Sequence, residues 1–297
     1  MASTIDTAFV NSYHGLLEHQ FQQKGSRLRS TVRSVTQNSE YDYWDRIGTS
    51  TAHQMTTRHA DTQYDDEGIT RRRNQVTGYN TAKLFDNQDK LRMIVDPLSG
   101  FAESQAMALG RQMDQAIITA ASGTAYTGKT GATATAYDTA YRIAVDYVHS
   151  GAATDSNMTI SKLRRARYLL EKNEAIMDGE QVTCVLTASQ KMSLLRSTEV
   201  TSSDYNTVKA LVNGEINTFL GFTFVQTELL SSATGSVRTC LVYPSSAILL
   251  GVGEDVKTKI DQLPTKQYSV QVYSEATFGA VRLWEEKVIE ILCDEDL

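Results

Sequence analysis

One long amphipathic helix constrains the fold of this chain more than any other feature. Apolar residues recur at three-to-four-residue spacing from Leu98 to Ala120, and Gly123 follows them. Asp96 is a candidate N-cap, and Pro97 suits the first helical position. About 25 residues at 1.5 Å each make a rod of roughly 37 Å, about twice the usual length in a globular domain. The rest of the chain must supply a surface that covers this rod.

The periodicity also assigns the two faces of the helix. Leu109 and Met113 lie on the apolar stripe, so we expect both side chains to be buried. The opposite face is predicted to be polar and exposed, and it carries Glu103, Arg111, Gln112 and Asp114.

Shorter elements of both types flank the long helix, which predicts an α+β fold. Helices are predicted at residues 3–23, 136–149, 161–172 and 188–196, with a helical turn at 244–250. Strands are predicted at residues 182–187, 222–226, 238–243, 257–261 and 267–273, with one or two more within 281–293.

Composition and charge exclude several classes of protein. The 297 residues are 41% hydrophobic and 22% charged, as in ordinary globular proteins. No run approaches the ~20 apolar residues of a membrane helix, and the first residues lack a signal-peptide pattern. The net charge of −6 argues against a protein whose main task is to grip nucleic acid. Residues 1–95 carry 12 basic and 11 acidic residues, so the excess of acid lies in the remainder.

The sequence predicts neither a metal site nor a cofactor. Cys184, Cys240 and Cys293 are widely spaced within apolar runs, which favours buried, reduced thiols. None of the five histidines has a partner at metal-ligand spacing, and no catalytic triad or nucleophile motif is evident.

A long polar stretch precedes the helix. It runs from Thr49 to Asn80 after the apolar-rich segment YDYWDRI, and a compact domain rarely carries a structureless loop of this length. We predict a two-stranded excursion with its turn near residues 66–68. Such a hairpin is marginal alone and needs a partner surface, most economically a second copy of the chain. Its charged residues occur as an acidic block followed by a basic block, and they are the candidate intersubunit contacts: Asp65, Asp66, Glu67, Arg71, Arg72 and Arg73.

A basic segment lies near the N-terminus. Lys24, Arg27, Arg29 and Arg33 occur with no acid between His19 and Glu40. These residues form either a solvated loop or an arm that lies on an acidic neighbouring copy or on DNA. They complete the set of candidate intersubunit contacts.

One motif resembles a phosphate-binding loop. Residues 123–130, GTAYTGKT, fit G-x-x-x-x-G-K-[ST], whose chemistry needs a preceding strand and a helix directly after the lysine. Here a helix is predicted before the motif and none directly after it. A flexible hinge is the favoured interpretation, and a P-loop nucleotide enzyme is the alternative function.

Four segments together resemble the major capsid proteins of tailed bacteriophages, with the Hong Kong 97 type of fold. They are YDYWDRIG at 41–48, the polar excursion after it, MIVDPLSGFAESQAMALGRQMDQAIITAASGTAYTG at 93–128, and YSVQVYSEATFGAVRLWEEKVIEILCDE at 268–295. A bacterial encapsulating-shell protein of the same fold is the third hypothesis.

The resemblance implies a division of the chain and a set of partners. Residues 1–40 would be an N-terminal arm, 41–92 an extended loop with flanking strands, 93–135 and 265–297 a peripheral domain with the spine helix, and 136–264 an axial domain. The expected function is self-assembly, as pentamers and hexamers, into an icosahedral shell around double-stranded DNA. Expected partners are a separate scaffolding protein, a portal protein, a possible decoration protein and non-specifically contacted DNA, with no membrane. Assembly would take place in the host cytoplasm and the product would be the virion, without enzymatic activity or cofactor.

Overall fold

A computed structural model describes residues 22–59, 61–85, 98–149, 151–196 and 218–296. The predicted helix at 3–23 lies almost entirely outside the described residues, as do the candidate cap Asp96 and Pro97. Within the described ranges the protein has three α-helices, which are α1 (Leu98–Ser122), α2 (Ile160–Lys172) and α3 (Ala188–Arg196). The strands, in chain order, are β1 (Arg33–Thr36), β2 (Tyr41–Ile47), β3 (Ile69–Gln75), β4 (Thr77–Phe85), β5 (Ala125–Thr127), β6 (Thr133–Thr135), β7 (Arg142–Ile143), β8 (Val182–Leu186), β9 (Thr218–Phe219), β10 (Phe222–Gln226), β11 (Ser232–Thr234), β12 (Val237–Pro244), β13 (Ile248–Leu263), β14 (Ser269–Arg282) and β15 (Ile289–Asp294).

The main core lies on a seven-stranded sheet. Its order is β7-β15-β12-β8-β10-β9, with β11 paired to β12, and β8 is buried along its whole length. Cys184, Cys240 and Cys293 lie on three adjacent strands of this sheet and are all buried free thiols, as predicted. Burial raises the pKa of the Cys184 thiol, which keeps it protonated and unreactive.

The long helix packs against a second sheet of four strands, in the order β1-β13-β14-β4. Met113 is 2% exposed and Leu109 is 3% exposed, so the predicted helix and its apolar stripe are confirmed. Gln105 joins helix and sheet, because its amide donates to the Val272 carbonyl at 3.2 Å and accepts from the Ser274 hydroxyl at 2.8 Å.

A third sheet, in the order β2-β3-β5-β6, contains the predicted hairpin, but the turn was predicted in the wrong place. Strands β2 and β3 pair from Tyr41↔Gln75 to Ile47↔Ile69, so the connection is residues 48–68 and not a tight turn at 66–68. The aromatic and β-branched residues of YDYWDRI and ITRRRNQ favour strands, whereas the connection is poor in them. The predicted hinge after α1 is the hairpin β5–β6, which adds to the same sheet.

Two further predictions were wrong. Residues 136–149 do not form an α-helix: a short 3₁₀ turn at Thr139–Tyr141 leads into β7, whose pairing with β15 overrides the helical periodicity. Residues 244–250 do not form a helical turn, because Pro244 ends β12 and Ile248 begins β13 after a tight turn. The apolar run there is a strand buried on both faces, which periodicity alone cannot distinguish from a buried helix.

The other predicted elements agree with the structure. Helices α2 and α3 and strands β8, β10 and β12 match their predicted ranges to within about a residue at each end. The predicted strands at 257–261 and 267–273 are parts of the much longer β13 and β14.

Candidate interaction surface

The connection between β2 and β3, residues 48–68, is the least buried part of the described chain. Every described residue in it is exposed, including the large side chains of Met55, 93% exposed, and Tyr64, 90% exposed. Its two ends meet where the Gly48 amide donates to the Gly68 carbonyl at 2.9 Å. The segment therefore leaves the third sheet as one closed projection, and no other described part of the chain covers its described side chains.

The acidic cluster lies on the returning side of this projection. Asp65 accepts a hydrogen bond from the Thr51 amide, and Glu67 accepts one from the Ser50 hydroxyl. These two candidate contact residues thus hold the two sides of the projection together. Asp66, between them, is exposed.

Tyrosine and arginine alternate on the exposed face of the third sheet. The Arg73 guanidinium lies 4.9 Å from the ring centre of Tyr41 and 4.7 Å from that of Tyr126. Arg71 lies 5.5 Å from the ring centre of Tyr43. Tyrosine and arginine are enriched at the centres of protein interfaces, because they combine a large contact area with polar groups. We call this set of five residues the Tyr/Arg face.

Arg71 is also held by Asp45 on the neighbouring strand. Its Nε and Nη2 donate to the two carboxylate oxygens at 2.6 and 2.9 Å. This bidentate pair lowers the pKa of the Asp45 carboxyl. Because both groups are exposed, the pair orients Arg71 more than it stabilises the fold.

Arg72 is not available to a neighbouring copy. Its side chain is 2% exposed and points to the opposite side of the sheet from Arg71 and Arg73. Its Nη2 lies 2.5 Å from Glu285, a carboxylate in the same chain. An intersubunit contact through these consecutive arginines therefore remains a proposal for Arg71 and Arg73.

Three of the four basic N-terminal residues have partners within the chain. Arg29 pairs with Asp255 at 2.9 Å, Arg27 donates to the Gln226 carbonyl at 2.6 Å, and the Arg33 guanidinium lies 4.8 Å from the Trp44 ring centre. Lys24 is exposed. Along residues 22–36 the segment thus follows the surface of its own subunit, and its contact with a neighbouring copy or with DNA stays a prediction.

Asp114 anchors this segment, contrary to the expectation from its position on the helix. It was predicted on the exposed face of α1, yet it is 0% exposed. Its carboxylate accepts hydrogen bonds from the Ser26 hydroxyl and from the amides of Arg27 and Leu28, the last two at 3.0 and 3.1 Å. Close approach is possible because α1 has Gly110 there: a Cβ at that position would lie 2.6 Å from the Gly25 carbonyl carbon.

The GTAYTGKT motif does not have the surroundings of a nucleotide-binding loop. Helix α1 ends at Ser122, directly before it, and the motif itself forms β5 and the turn into β6. No helix begins at Lys129, so the backbone amides are not arranged around a phosphate at a helix N-terminus.

The described ranges contain neither a cluster of metal ligands nor a membrane-spanning helix. No group of three or more His, Cys, Asp or Glu side chains there is arranged to hold a metal ion. None of the described helices combines the length and the apolar character needed to span a membrane.

Comparisons with known proteins define the class of the molecule. Three solved phage capsids have the same fold over nearly the whole chain. The capsid of cyanophage P-SCSP1u is 16% identical with a TM-score of 0.76, covering 98% of this chain and 94% of that one. The capsid of Ralstonia phage GP4 is 13% identical with a TM-score of 0.73, covering 99% and 97%. The capsid of Helicobacter pylori bacteriophage KHP30 is 10% identical with a TM-score of 0.74, covering 99% and 98%. A comparison with curated proteins finds no match.

The sequence itself decides the family. The profile of the phage capsid protein family matches residues 5–295, almost all of the 297 residues. The chain therefore belongs to the phage capsid protein family, and it is a structural major capsid protein of a bacteriophage virion.

Proposed function

We propose that this protein assembles as pentamers and hexamers into the icosahedral shell that encloses the double-stranded DNA of a tailed phage. In this shell the projection of residues 48–68 lies across an adjacent subunit. One observation carries the proposal: every described residue of the segment 48–68 is exposed, whereas β2 and β3 on either side of it are paired within the subunit. An ordered projection without a core of its own requires a surface outside its subunit.

The proposed contact has two parts. The tip of the projection supplies Met55 and Tyr64, whose apolar surface is removed from water only by a partner. The base supplies the Tyr/Arg face, where the guanidinium groups are already oriented by aromatic rings and by Asp45. Side chains held in place before contact lose less conformational entropy on binding, which favours assembly.

We keep the division into an arm at 1–40, an extended loop at 41–92, a peripheral domain at 93–135 and 265–297, and an axial domain at 136–264. The sheets tie these parts together, since β1 of the arm pairs with β13 and β4 of the loop pairs with β14. Strand β15 lies in the seven-stranded sheet and connects the C-terminal end of the peripheral domain to the axial domain.

The other proposed partners follow from the shell itself. A closed shell around DNA needs an entrance, for which we propose a portal protein. The size of the shell must also be set during assembly, for which we propose a separate scaffolding protein. A decoration protein is a further candidate, and contact with the packaged DNA would be non-specific. Assembly would take place in the host cytoplasm.

We further propose that the protein has no enzymatic activity. The GTAYTGKT motif follows a helix and forms a β-hairpin, whereas a P-loop follows a strand and leads into a helix. This difference supports a structural role over the alternative of a P-loop enzyme. The alternative of a bacterial encapsulating shell shares the fold, and the DNA content of purified particles separates the two.

Hydrogen exchange tests the proposed role of the projection. Amides in residues 49–67 should exchange quickly in unassembled subunits and become protected in particles. Residues 69–80 belong to β3 and β4, which pair within the subunit, so their amides should be protected in both states. Amides of β8 serve as the internal control, because they are buried in the subunit and should be protected in both states. Equally fast exchange of 49–67 in subunits and particles would refute the intersubunit role.

A further inference from the structure

A cavity of about 410 Å³ lies on the exposed side of helix α2, between that helix and the segment that follows β7. Its lining contains three side chains that can carry positive charge, two tyrosine rings and no carboxylate. The lining residues are Tyr147, His149, Ser161, Arg164, Arg165 and Tyr168. The cavity therefore combines positive charge with aromatic surface, which suits a contact with an acidic protein segment.

The helix wall of this cavity is fixed by the core beneath it. Leu163 and Leu170 are fully buried on the opposite side of α2. Lys162 is also fully buried, and its Nζ donates to the Leu292 carbonyl at 2.9 Å and to the Ser156 carbonyl at 2.6 Å. The helix is thus tied both to β15 and to the loop that precedes it. A partner would meet a surface that needs little ordering on contact.

Arg165 is the cation that the two tyrosines of the cavity orient. Its guanidinium lies 5.1 Å from the ring centre of Tyr168 and 5.9 Å from that of Tyr147. Among the described residues it makes no hydrogen bond and no ion pair. By contrast, Arg167 on the same helix is paired with Glu171 at 2.5 Å. The rings hold the Arg165 guanidinium in place, and a carboxylate from outside the subunit can accept its hydrogen bonds.

Residues 174–178, which follow α2 and which we call the acidic loop, have the opposite character. Glu174 and Asp178 are exposed, and neither carboxylate is paired with another described residue. Met177 lies between them in the sequence and is 61% exposed. A turn holds the loop in shape: the Glu180 amide donates to the Met177 carbonyl at 3.0 Å, and the Glu180 carboxylate accepts from the Met177 amide at 3.3 Å. The loop therefore presents free negative charge next to an exposed apolar side chain.

We propose that the cavity of one subunit receives the acidic loop of a second copy, with Arg165 paired to Asp178 and with Met177 against the tyrosine rings. Rings such as pentamers and hexamers need heterologous contacts, in which two different patches of one chain meet. The cavity and the acidic loop fulfil this condition. They are complementary in charge and lie toward opposite ends of a 13-residue helix, which spans about 20 Å. The inference rests on the proposed assembly into rings, and this contact is separate from that of the projection.

Charge reversal in the full-length protein tests the contact. Arg165→Glu should raise the subunit concentration needed for association roughly tenfold or more, because like charges then face each other at every contact of the ring. Asp178→Arg should have the same effect, and the two changes together should restore association to within roughly threefold of the wild type. Sedimentation at rising subunit concentration measures association, and light scattering measures particles. A double variant that associates no better than either single variant would overturn the proposal.

Arg196→Glu is the matched control. It makes the same reversal at an exposed position of helix α3, outside the cavity, and should leave the association threshold unchanged. Arg165→Gln removes the charge without reversing it and keeps a polar side chain, so it should weaken association less than Arg165→Glu and in the same direction. Melting temperatures should stay near that of the wild type in all variants. Equal losses in Arg196→Glu and Arg165→Glu would reflect net charge alone and would overturn the proposal.

The outcomes separate this contact from the proposed shell. Association that is lost in Arg165→Glu and restored in the double variant, without closed particles, would support the contact and count against the shell. Particles of Arg165→Glu at the wild-type threshold would overturn the contact and leave the shell standing. Wild-type subunits that neither associate nor form particles would overturn both. If Arg165→Glu loses binding to a short DNA duplex while subunits associate as before, the cavity belongs to DNA and the proposal is overturned.

Discussion

The spine helix and the projection at residues 48–68 are of similar length and are stabilised in opposite ways. Helix α1 lies against two long strands and buries Leu109, Met113 and Ile117 almost completely. The described side chains of the projection are all exposed. The same chain thus contains one rod whose position is determined within the subunit and one segment whose position depends on what lies next to it.

The largest expected effect is at Met113. Met113→Asp would place an unpaired charge in the core, so we expect a loss of more than about 4 kcal/mol in the free energy of unfolding and little folded protein. Thr119→Asp, on an exposed position of the same helix, should change it by no more than about 0.5 kcal/mol. Denaturant unfolding measures both, and a normally folded Met113→Asp would contradict the assigned helix face.

The next effect is at the anchor between α1 and the N-terminal segment. Asp114→Ala leaves the buried Leu28 amide and its neighbours without their acceptor, so we expect a loss of about 3 kcal/mol. Hydrogen exchange should show faster exchange of residues 23–28 in this variant.

Gly110→Ala checks the same anchor by a different route, because its added Cβ would clash with Gly25 without removing any hydrogen-bonding group. Both variants should release residues 23–28 while α1 stays protected. Unchanged protection of this segment in both variants would show that it is held elsewhere.

A smaller effect is expected from salt. Contacts through exposed charges of the projection are screened within roughly 3 Å at about 1 M salt, so the subunit concentration needed for assembly should rise several-fold between 0.1 and 1 M sodium chloride. Light scattering measures this threshold, with sucrose at equal osmolality as the control. A threshold independent of salt would show that apolar contacts, such as those of Met55 and Tyr64, carry the interface.

The smallest effect is expected with ATP. A P-loop enzyme binds ATP with magnesium at micromolar concentration and hydrolyses it, whereas the turn at residues 123–130 lacks the necessary helix. We expect neither hydrolysis of ATP nor binding of ATP at micromolar concentration. Magnesium-dependent micromolar affinity would restore the enzyme hypothesis.

The sequence was informative where local pattern and tertiary environment agree. The 3.6-residue spacing of apolar side chains predicted α1 and its buried face, because one side of that helix meets the sheet and the other does not. The apolar positions of α2 likewise placed that helix to within a residue, and the structure adds Thr159 as its N-cap. The same reasoning failed at residues 136–149, where pairing with β15 outweighs a helical pattern.

The sequence did not predict which charged side chains are buried. Arg71, Arg72 and Arg73 look alike in the sequence, and only the pleat of β3 and the position of Glu285 place Arg72 inside and the other two on the Tyr/Arg face. Asp114 has the spacing of an exposed helix residue and becomes buried because a segment nearly 90 residues away in the chain docks on it. Whether a charge is buried depends on a partner that is distant in sequence.

The sequence by itself determined the long amphipathic rod, the α+β class, the buried thiols and a long polar excursion before the rod. Only the tertiary structure decided that the second part of this excursion, from Ile69, pairs within the subunit, which arginine is buried and that the GKT turn forms the β5–β6 hairpin. The physical reason is the range of the interactions. Periodicity and turn preferences act over a few neighbouring residues, whereas burial of charge and strand pairing depend on contacts across more than 100 residues of chain, such as Arg72 with Glu285.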